Sequence, residues 1–414
     1  MVGHFPGVAG LTFTHAEAPT VGDMSASTPA TSSATEPPQV TPPAPSSPIS
    51  SAPASSSPAS SSPTSSSPVE SLSAPAAGRL VRLAAYPVGL PAPEDFRVEL
   101  AAVPAPRPGQ VVVRTTLFAL DAAARLFLGD VGLPLPRLTL GDVVPGAALG
   151  EVVASTDPGF AVGDEVCHQL GWREFAVADA AALRRVDPAV LPTPTAYLAP
   201  LLTAWAGLVA AAELRSGDTV FVSGAAGAVG GLAGQIARLR GAGRVIGSAG
   251  SPAKVAHVTG TLGFDAAFDH RDGPVLDRLR ECAPEGIDVY FDNTGGAQLA
   301  AAVRLLRPHG RVVLCGLLDR QTGPRPGRAA GEETTPDLGY AIANRLTLRG
   351  LRTADFADRR AEAEQEIGHW LATGRLQLDE TIVDGIENAP RAFTDLLRGA
   401  FTGRVVIRVD GPGM

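Results

Sequence analysis

The run Thr219-Val-Phe-Val-Ser-Gly-Ala-Ala-Gly-Ala-Val-Gly230 joins an apolar strand, a turn without side-chain bulk and an apolar-faced helix. A turn of this kind lets backbone approach a pyrophosphate, whose charge is favoured by the free N–H groups and dipole of the helix N-terminus. Gly227 permits the approach and Gly230 lets the helix pack on the strand, while Ala225 replaces the usual first glycine, giving an AxGxxG variant. The competing explanation is a tight turn whose small residues serve packing alone. Its setting between a strand and a helix, with further βα units behind it, favours a dinucleotide.

The next strand selects between nicotinamide cofactors. An NAD site places an acid about 20 residues beyond the turn to hold the ribose 2′-hydroxyl. No Asp or Glu occurs from Gly231 to Phe264, and the strand ends in Gly247-Ser-Ala-Gly-Ser251, followed by Lys254. An acid-free pocket beside a cation suits a 2′-phosphate. Lys254 is also the sole lysine of the chain. NADPH is therefore the expected cofactor.

Catalytic zinc needs about three protein ligands and an open position. Cys167 and His168 are adjacent, so a strand would turn them to opposite faces, and three cysteines cannot build a four-cysteine structural lobe. No metal site is expected, and without a Lewis acid to polarise an alcohol the residues argue against simple alcohol dehydrogenation.

The elements around these residues fall into blocks. Residues from about Ser25 to Pro75 are almost entirely Ser, Pro, Ala and Thr, a composition predicted to be disordered. The weakly apolar opening before Met24 suggests a start at that methionine. From Arg79, short runs such as Gln110–Arg114 and Gly150–Ala154 predict a β-rich unit. Beyond about Thr195, strands are expected at Thr219–Ser223, Arg244–Gly247, Ala266–Asp269, Ile287–Asp292 and Arg311–Cys315. Helices such as Val229–Arg240 and Pro252–Leu262 lie between them, so a parallel sheet covered on both faces follows. A helix over Arg359–Thr373 and a strand over Arg404–Val409 return the chain to the first unit.

Bulk properties exclude other classes. The net charge is −8, of which Glu17, Asp23, Glu36 and Glu70 in the Lys/Arg-free first 78 residues supply half. A mildly acidic body argues against nucleic acid as a partner. No apolar run approaches the roughly 18 residues needed to cross a bilayer. Three scattered cysteines suit a reducing cytoplasm.

Taken together, several segments resemble the zinc-independent medium-chain reductases of the prostaglandin reductase, leukotriene B4 12-hydroxydehydrogenase and curcumin reductase type. They include Gly150-Glu-Val-Val with Phe160–Val166, Gly171–Val177, Leu202–Leu208, Ser223–Gly230, Leu262–Asp265, Asp288–Gly296, Gly310–Gly316, Glu387–Phe393 and Gly403–Val406. The likeness implies a GroES-like catalytic domain built from 79–200 and 351–414 around a doubly wound Rossmann domain at 201–350, behind a tail at 1–78. It implies NADPH contacts at Ala226, Gly227, Ala228, Val229, Gly230, Lys254, His270, Asn293, Cys315, Gly316, Leu317 and Leu318, and a homodimer.

Three departures from the family pattern concern the substrate side. The Ser-x-Tyr-Asn element after Cys315-Gly is replaced by Leu317-Leu-Asp-Arg-Gln-Thr-Gly323, the early Asp-Pro-Tyr-Met-Arg by Asp121-Ala-Ala-Ala-Arg125, and a late asparagine by Phe401. The expected reaction is metal-free hydride transfer to the C=C bond of an α,β-unsaturated carbonyl. Alternatives are a quinone reductase and a catalytically inactive NADPH-binding sensor or scaffold. No general acid is singled out: Tyr340, Tyr197 and the cofactor ribose stand as unranked candidates. Arg320 or Asp319 could take over polar work in the shortened loop, although plain surface solvation is the stronger expectation for both.

Overall fold

Strand β3 (Gln110–Leu120) is the member about which the first half of the molecule is organised. In this computed structural model, residues 75–129, 132–322 and 333–409 are described. The expectations for the Ser/Pro-rich stretch before residue 75, and for a start at Met24, lie outside them. The first unit runs β1 (Ala77–Leu83), β2 (Phe96–Ala102), β3, β4 (Ala148–Ser155), β5 (Glu165–His168), β6 (Phe175–Asp179) and β7 (Arg184–Arg185). Along one edge of β3, residues Gln110–Arg114 pair with β6 and Leu117–Leu120 pair with the last strand of the chain. Its other edge carries β4.

After α1 (Leu201–Ala206) the periodicity changes. β8 (Thr219–Val222), α2 (Ala228–Leu239), β9 (Arg244–Ala249), α3 (Pro252–Gly260) and β10 (Ala266–Asp269) form the first half of an open sheet. The second half is α4 (Val275–Cys282), β11 (Ile287–Asp292), α5 (Gly296–Leu305), β12 (Leu306–Leu314), α6 (Leu318–Thr322), α7 (Leu338–Asn344) and β13 (Thr347–Gly350). The six strands are parallel, in the order β10-β9-β8-β11-β12-β13. The order reverses between β8 and β11, and ligands of such sheets sit beyond the carboxyl ends of the strands at that switch. All four residues of β8 are buried, as helices on both faces require.

The chain closes with α8 (Arg360–Ala372), β14 (Glu380–Asp384), α9 (Ala389–Leu397) and β15 (Arg404–Arg408). β15 pairs antiparallel with β3, so the expected return to the first unit is what the structure contains. β12 begins at Leu306, five residues before the predicted Arg311, and β13 and β14 lack the apolar run that would announce a strand.

An aromatic cluster fastens this return. Trp172 is 1% exposed, and its ring lies 5.7 Å from Phe96, 6.0 Å from Phe118 and 5.4 Å from Phe393 of α9. Phe393 also meets Phe96 edge-on at 5.9 Å. Three N-terminal rings thus close over one from the C-terminal segment. Phe393→Ala leaves a ring-sized void and should cost about 3–5 kcal/mol. Urea unfolding followed by tryptophan fluorescence measures that loss.

Candidate cofactor-binding site

The site is assembled where β8, β11 and β12 end. β8 leads into Ser223, a buried residue whose carbonyl accepts from Asn293 Nδ2 at 2.7 Å and whose hydroxyl accepts from Asn293 N at 2.9 Å. The turn then passes to α2 at Ala228, with Gly227 as its N-cap. A Cβ on Gly230 would lie 2.3 Å from Gly224 O, so a side chain there would lift the helix off the turn. This is the close strand–turn–helix packing that the motif predicts.

Sequence reasoning missed the residue that binds the three strand ends together. Asp292, 1% exposed, accepts on Oδ1 from Tyr290 OH at 2.7 Å, Gly295 N at 2.7 Å, Thr294 N at 3.0 Å and Ser223 Oγ at 3.3 Å. Its backbone oxygen accepts from Cys315 N and Gly316 N, both at 2.9 Å. Burial raises its carboxyl above the usual range, although every one of those side-chain bonds favours the anion. The clue was present: an acid closing the apolar strand Ile287–Asp292 ahead of Asn293-Thr-Gly-Gly296.

The Cys315–Leu318 turn packs on the β11 turn. A Cβ on Gly316 would sit 2.4 Å from Asn293 O, so that position needs glycine. Leu318 N donates to Asn293 O at 3.4 Å and Asp319 N to Thr294 O at 2.9 Å. Burial, with the charges of Asp121 and Asp292, pushes the Cys315 thiol up to about 12, so it stays protonated and is no nucleophile. Ala226 to Gly230, Asn293 and Cys315 to Leu318 therefore share one rim.

Lys254 and His270 stand apart from that rim, at the ends of β9 and β10. His270 N donates to Ala249 O at 3.0 Å, and its Nε2 lies 3.3 Å from where a Cβ on Gly250 would be. Lys254 Nζ donates to Gly399 O at 2.8 Å and Phe401 O at 2.5 Å, in the loop before β15. Burial, then the charge of Arg271, lowers its pKa. The loop continues across the glycine turn, where Gly403 N donates to Ala226 O at 2.8 Å. His257 Nε2 meets Asp379 Oδ2 at 2.8 Å, and Gln235 exchanges two hydrogen bonds with the backbone of Gln377. The C-terminal return is thus strapped over α2 and α3.

On the facing side, Asp121 caps a 3₁₀ turn over Ala122–Phe127 and pairs with the buried Arg404 at 3.0 Å. Burial acts to raise the Asp121 carboxyl, but Arg404 and the Ala123 N–H outweigh it and hold it below the usual range. Arg320 Nη2 donates to Gly132 O at 2.9 Å. The two tyrosines named from sequence do not join this group. Tyr197 exchanges hydrogen bonds with Asp187, and Tyr340 stacks under Arg304 on α7. Cys167 and His168 are successive residues of β5; His168 Nδ1 accepts from Leu170 N, and burial, with Arg173 nearby, lowers its pKa to about 3. Among the described residues, no group of three or more His, Cys, Asp or Glu could hold a metal ion.

Two family models match the chain: an N-terminal domain of oxidoreductases over residues 79–186, and one described as zinc-binding dehydrogenase over 228–367. A putative NADP-dependent oxidoreductase, YfmJ, of Bacillus subtilis is 35% identical over 347 residues, covering 81% of this chain and 99% of that protein. The NADPH-dependent curcumin reductase of Escherichia coli is 35% identical over 334 residues, 80% of this chain and 96% of the relative. Prostaglandin reductase 1 of Sus scrofa is 32% identical over 331 residues, 78% and 96% respectively. The crystal structure of CurA from Vibrio vulnificus in complex with NADPH superposes with a TM-score of 0.72 at 31% identity, covering 81% of this chain and all 100% of that one.

Asp292→Ala strands the buried Tyr290 hydroxyl and the Gly295 and Thr294 N–H groups, each unsatisfied donor costing about 1–3 kcal/mol. The expected outcome is a stability loss of at least ~3 kcal/mol in urea melts. Asp292→Asn, which keeps an acceptor oxygen, should fall between that variant and the parent.

Proposed function

The chain belongs to the medium-chain reductase family of the curcumin and prostaglandin reductases, and on that premise we propose that it is an NADPH-dependent reductase of C=C bonds conjugated to a carbonyl. The observation that carries the reading is the rim at the ends of β8, β11 and β12, where a turn of small residues opens α2 and forms a cradle with the closely packed Asn293 and Gly316 turns. The cofactor fits that cradle. Ala226, Gly227, Ala228, Val229 and Gly230 would take the pyrophosphate at the α2 N-terminus. Asn293 and the Cys315–Leu318 turn would flank the nicotinamide end, and Lys254 with His270 the 2′-phosphate end.

When bound, NADPH supplies the hydride that reaches the β-carbon of the enone. The chain's own contribution is alignment and a preorganised environment. Asn293 is immobilised by Ser223, so its backbone and the Gly316 turn keep one spacing throughout. The protonated Cys315 thiol adds no charge beside the reacting carbon. Arg404 neutralises Asp121, the carboxylate whose charge bears on the same turn.

The pairing of β15 with β3 supports domain limits of 79–200 with 351–414, around 201–350. Among the described residues no helix is long and apolar enough to cross a membrane, and Cys167, Cys282 and Cys315 are free thiols, which supports a cytoplasmic protein. A homodimer is supported by the outer position of β13 in its sheet and by α7, which packs on the neighbouring β12 and leaves Leu338 60% and Ile342 80% exposed. A second copy adding its own β13 would satisfy the open strand edge.

An NADPH-oxidation screen over enones of graded length, quinones and aldehydes, with product mass spectrometry, tests the reaction. The expected product is the saturated ketone with its carbonyl intact. Faster turnover of quinones would make it a quinone reductase, and saturable NADPH binding without oxidation of any substrate would leave a sensor. For assembly, Ile342→Glu should convert a dimer to a monomer in light scattering; a monomeric parent would refute the dimer.

A further inference from the structure

Lys254 was the cation expected at a 2′-phosphate, yet two of its three ammonium N–H groups are used by the Gly399 and Phe401 carbonyls. One donor remains for a ligand. A phosphate monoester dianion held by a single shared donor, in a pocket without other charge, would be poorly neutralised.

A second cation stands beside it. Arg271 follows His270 at the end of β10, and its Cζ and Nη2 both lie 3.4 Å from the position a Cβ on Gly250 would take. Gly250 separates the end of β9 from Ser251, the N-cap of α3. The Arg271 guanidinium has no hydrogen bond or ion pair with a described residue, whereas Arg278 and Arg280 of α4 are each engaged. The Asp269 carboxylate is turned to the backbone: its Oδ1 accepts from Arg271 N at 2.9 Å and so fixes the start of the side chain. The charge of Arg271 reaches Lys254 and contributes to lowering its pKa, which places both cations around one space. His270 forms its third side, 3.3 Å from the same Cβ position.

We propose that Arg271 is the specificity-determining residue for the 2′-phosphate of NADPH, binding it through the guanidinium, while Lys254 chiefly positions the loop that carries Phe401. Resting as it does on the NADPH reading, the proposal divides one recognition task between two cations. Arg271 has five N–H donors in a planar fork and, among the described residues, no side-chain hydrogen-bond or ion-pair partner, which suits bidentate phosphate binding. Lys254 ties the cofactor pocket to the 399–403 loop, so its removal acts on the cleft whichever cofactor is present.

Steady-state kinetics with NADPH and NADH on the full chain separate the roles. Arg271→Ala should raise the NADPH KM roughly tenfold to a hundredfold, the usual size for a charge-assisted phosphate contact, and leave the NADH KM and kcat within about twofold. Arg271→Lys should restore part of the loss. Lys254→Met should lower kcat with both cofactors, a shared loss absent from Arg271→Ala. An NADPH KM unchanged in Arg271→Ala, or raised equally for NADH, overturns the proposal. Competition by 2′,5′-ADP against 5′-ADP isolates the parent reading. If the unmodified protein does not prefer 2′,5′-ADP, the NADPH assignment itself fails. If it does and Arg271→Ala keeps that preference, only the role of Arg271 falls.

Discussion

A single buried carboxylate sets the geometry on which the site depends. Three parallel strands, β8, β11 and β12, end at one level, and each would expose unpaired backbone donors there. Asp292 gathers them: its side chain takes the Ser223, Thr294 and Gly295 groups, and its carbonyl takes Cys315 and Gly316. Burying a carboxylate costs energy, as its raised pKa records, and the hydrogen bonds offset that cost only if all of them form together. The turns are therefore fixed relative to one another before any ligand arrives, which is what preorganised binding of a long cofactor demands.

The second constraint is topological. A chain whose first and last strands share one sheet must bring β15 back to β3 after the intervening parallel sheet is complete. The aromatic cluster around Trp172 secures that return in the apolar core, and β15 completes the edge of β3. On its way the return crosses the glycine turn, so Gly403, Lys254, His257 and Gln235 link the two lobes by polar contacts beside the cofactor cradle. The C-terminal return consequently forms one wall of the proposed cofactor cradle. Phe401 sits in that wall with its carbonyl held by the lysine.

What the sequence by itself determined was everything carried by local pattern. Apolar runs between amphipathic stretches marked the parallel sheet, with Ala266–Asp269 and Ile287–Asp292 falling on their expected bounds, because strands packed between helices are predominantly apolar. The bare turn at Ser223–Gly230 was legible because close backbone packing permits no side chain, and the absence of acids after β9 was legible as composition. Tertiary structure alone decided who partners whom. Asp292 reads locally as the end of a strand, and its partners lie up to 69 residues away. Lys254 reads as a phosphate ligand, and only folding brings it to carbonyls 145 and 147 residues further on. β13 and β14 are short and half-exposed, so no periodicity marks them; they are strands because a neighbour offers an edge. Pattern encodes which element forms, whereas the identity of a hydrogen-bond partner is set by chain distances that no local window contains.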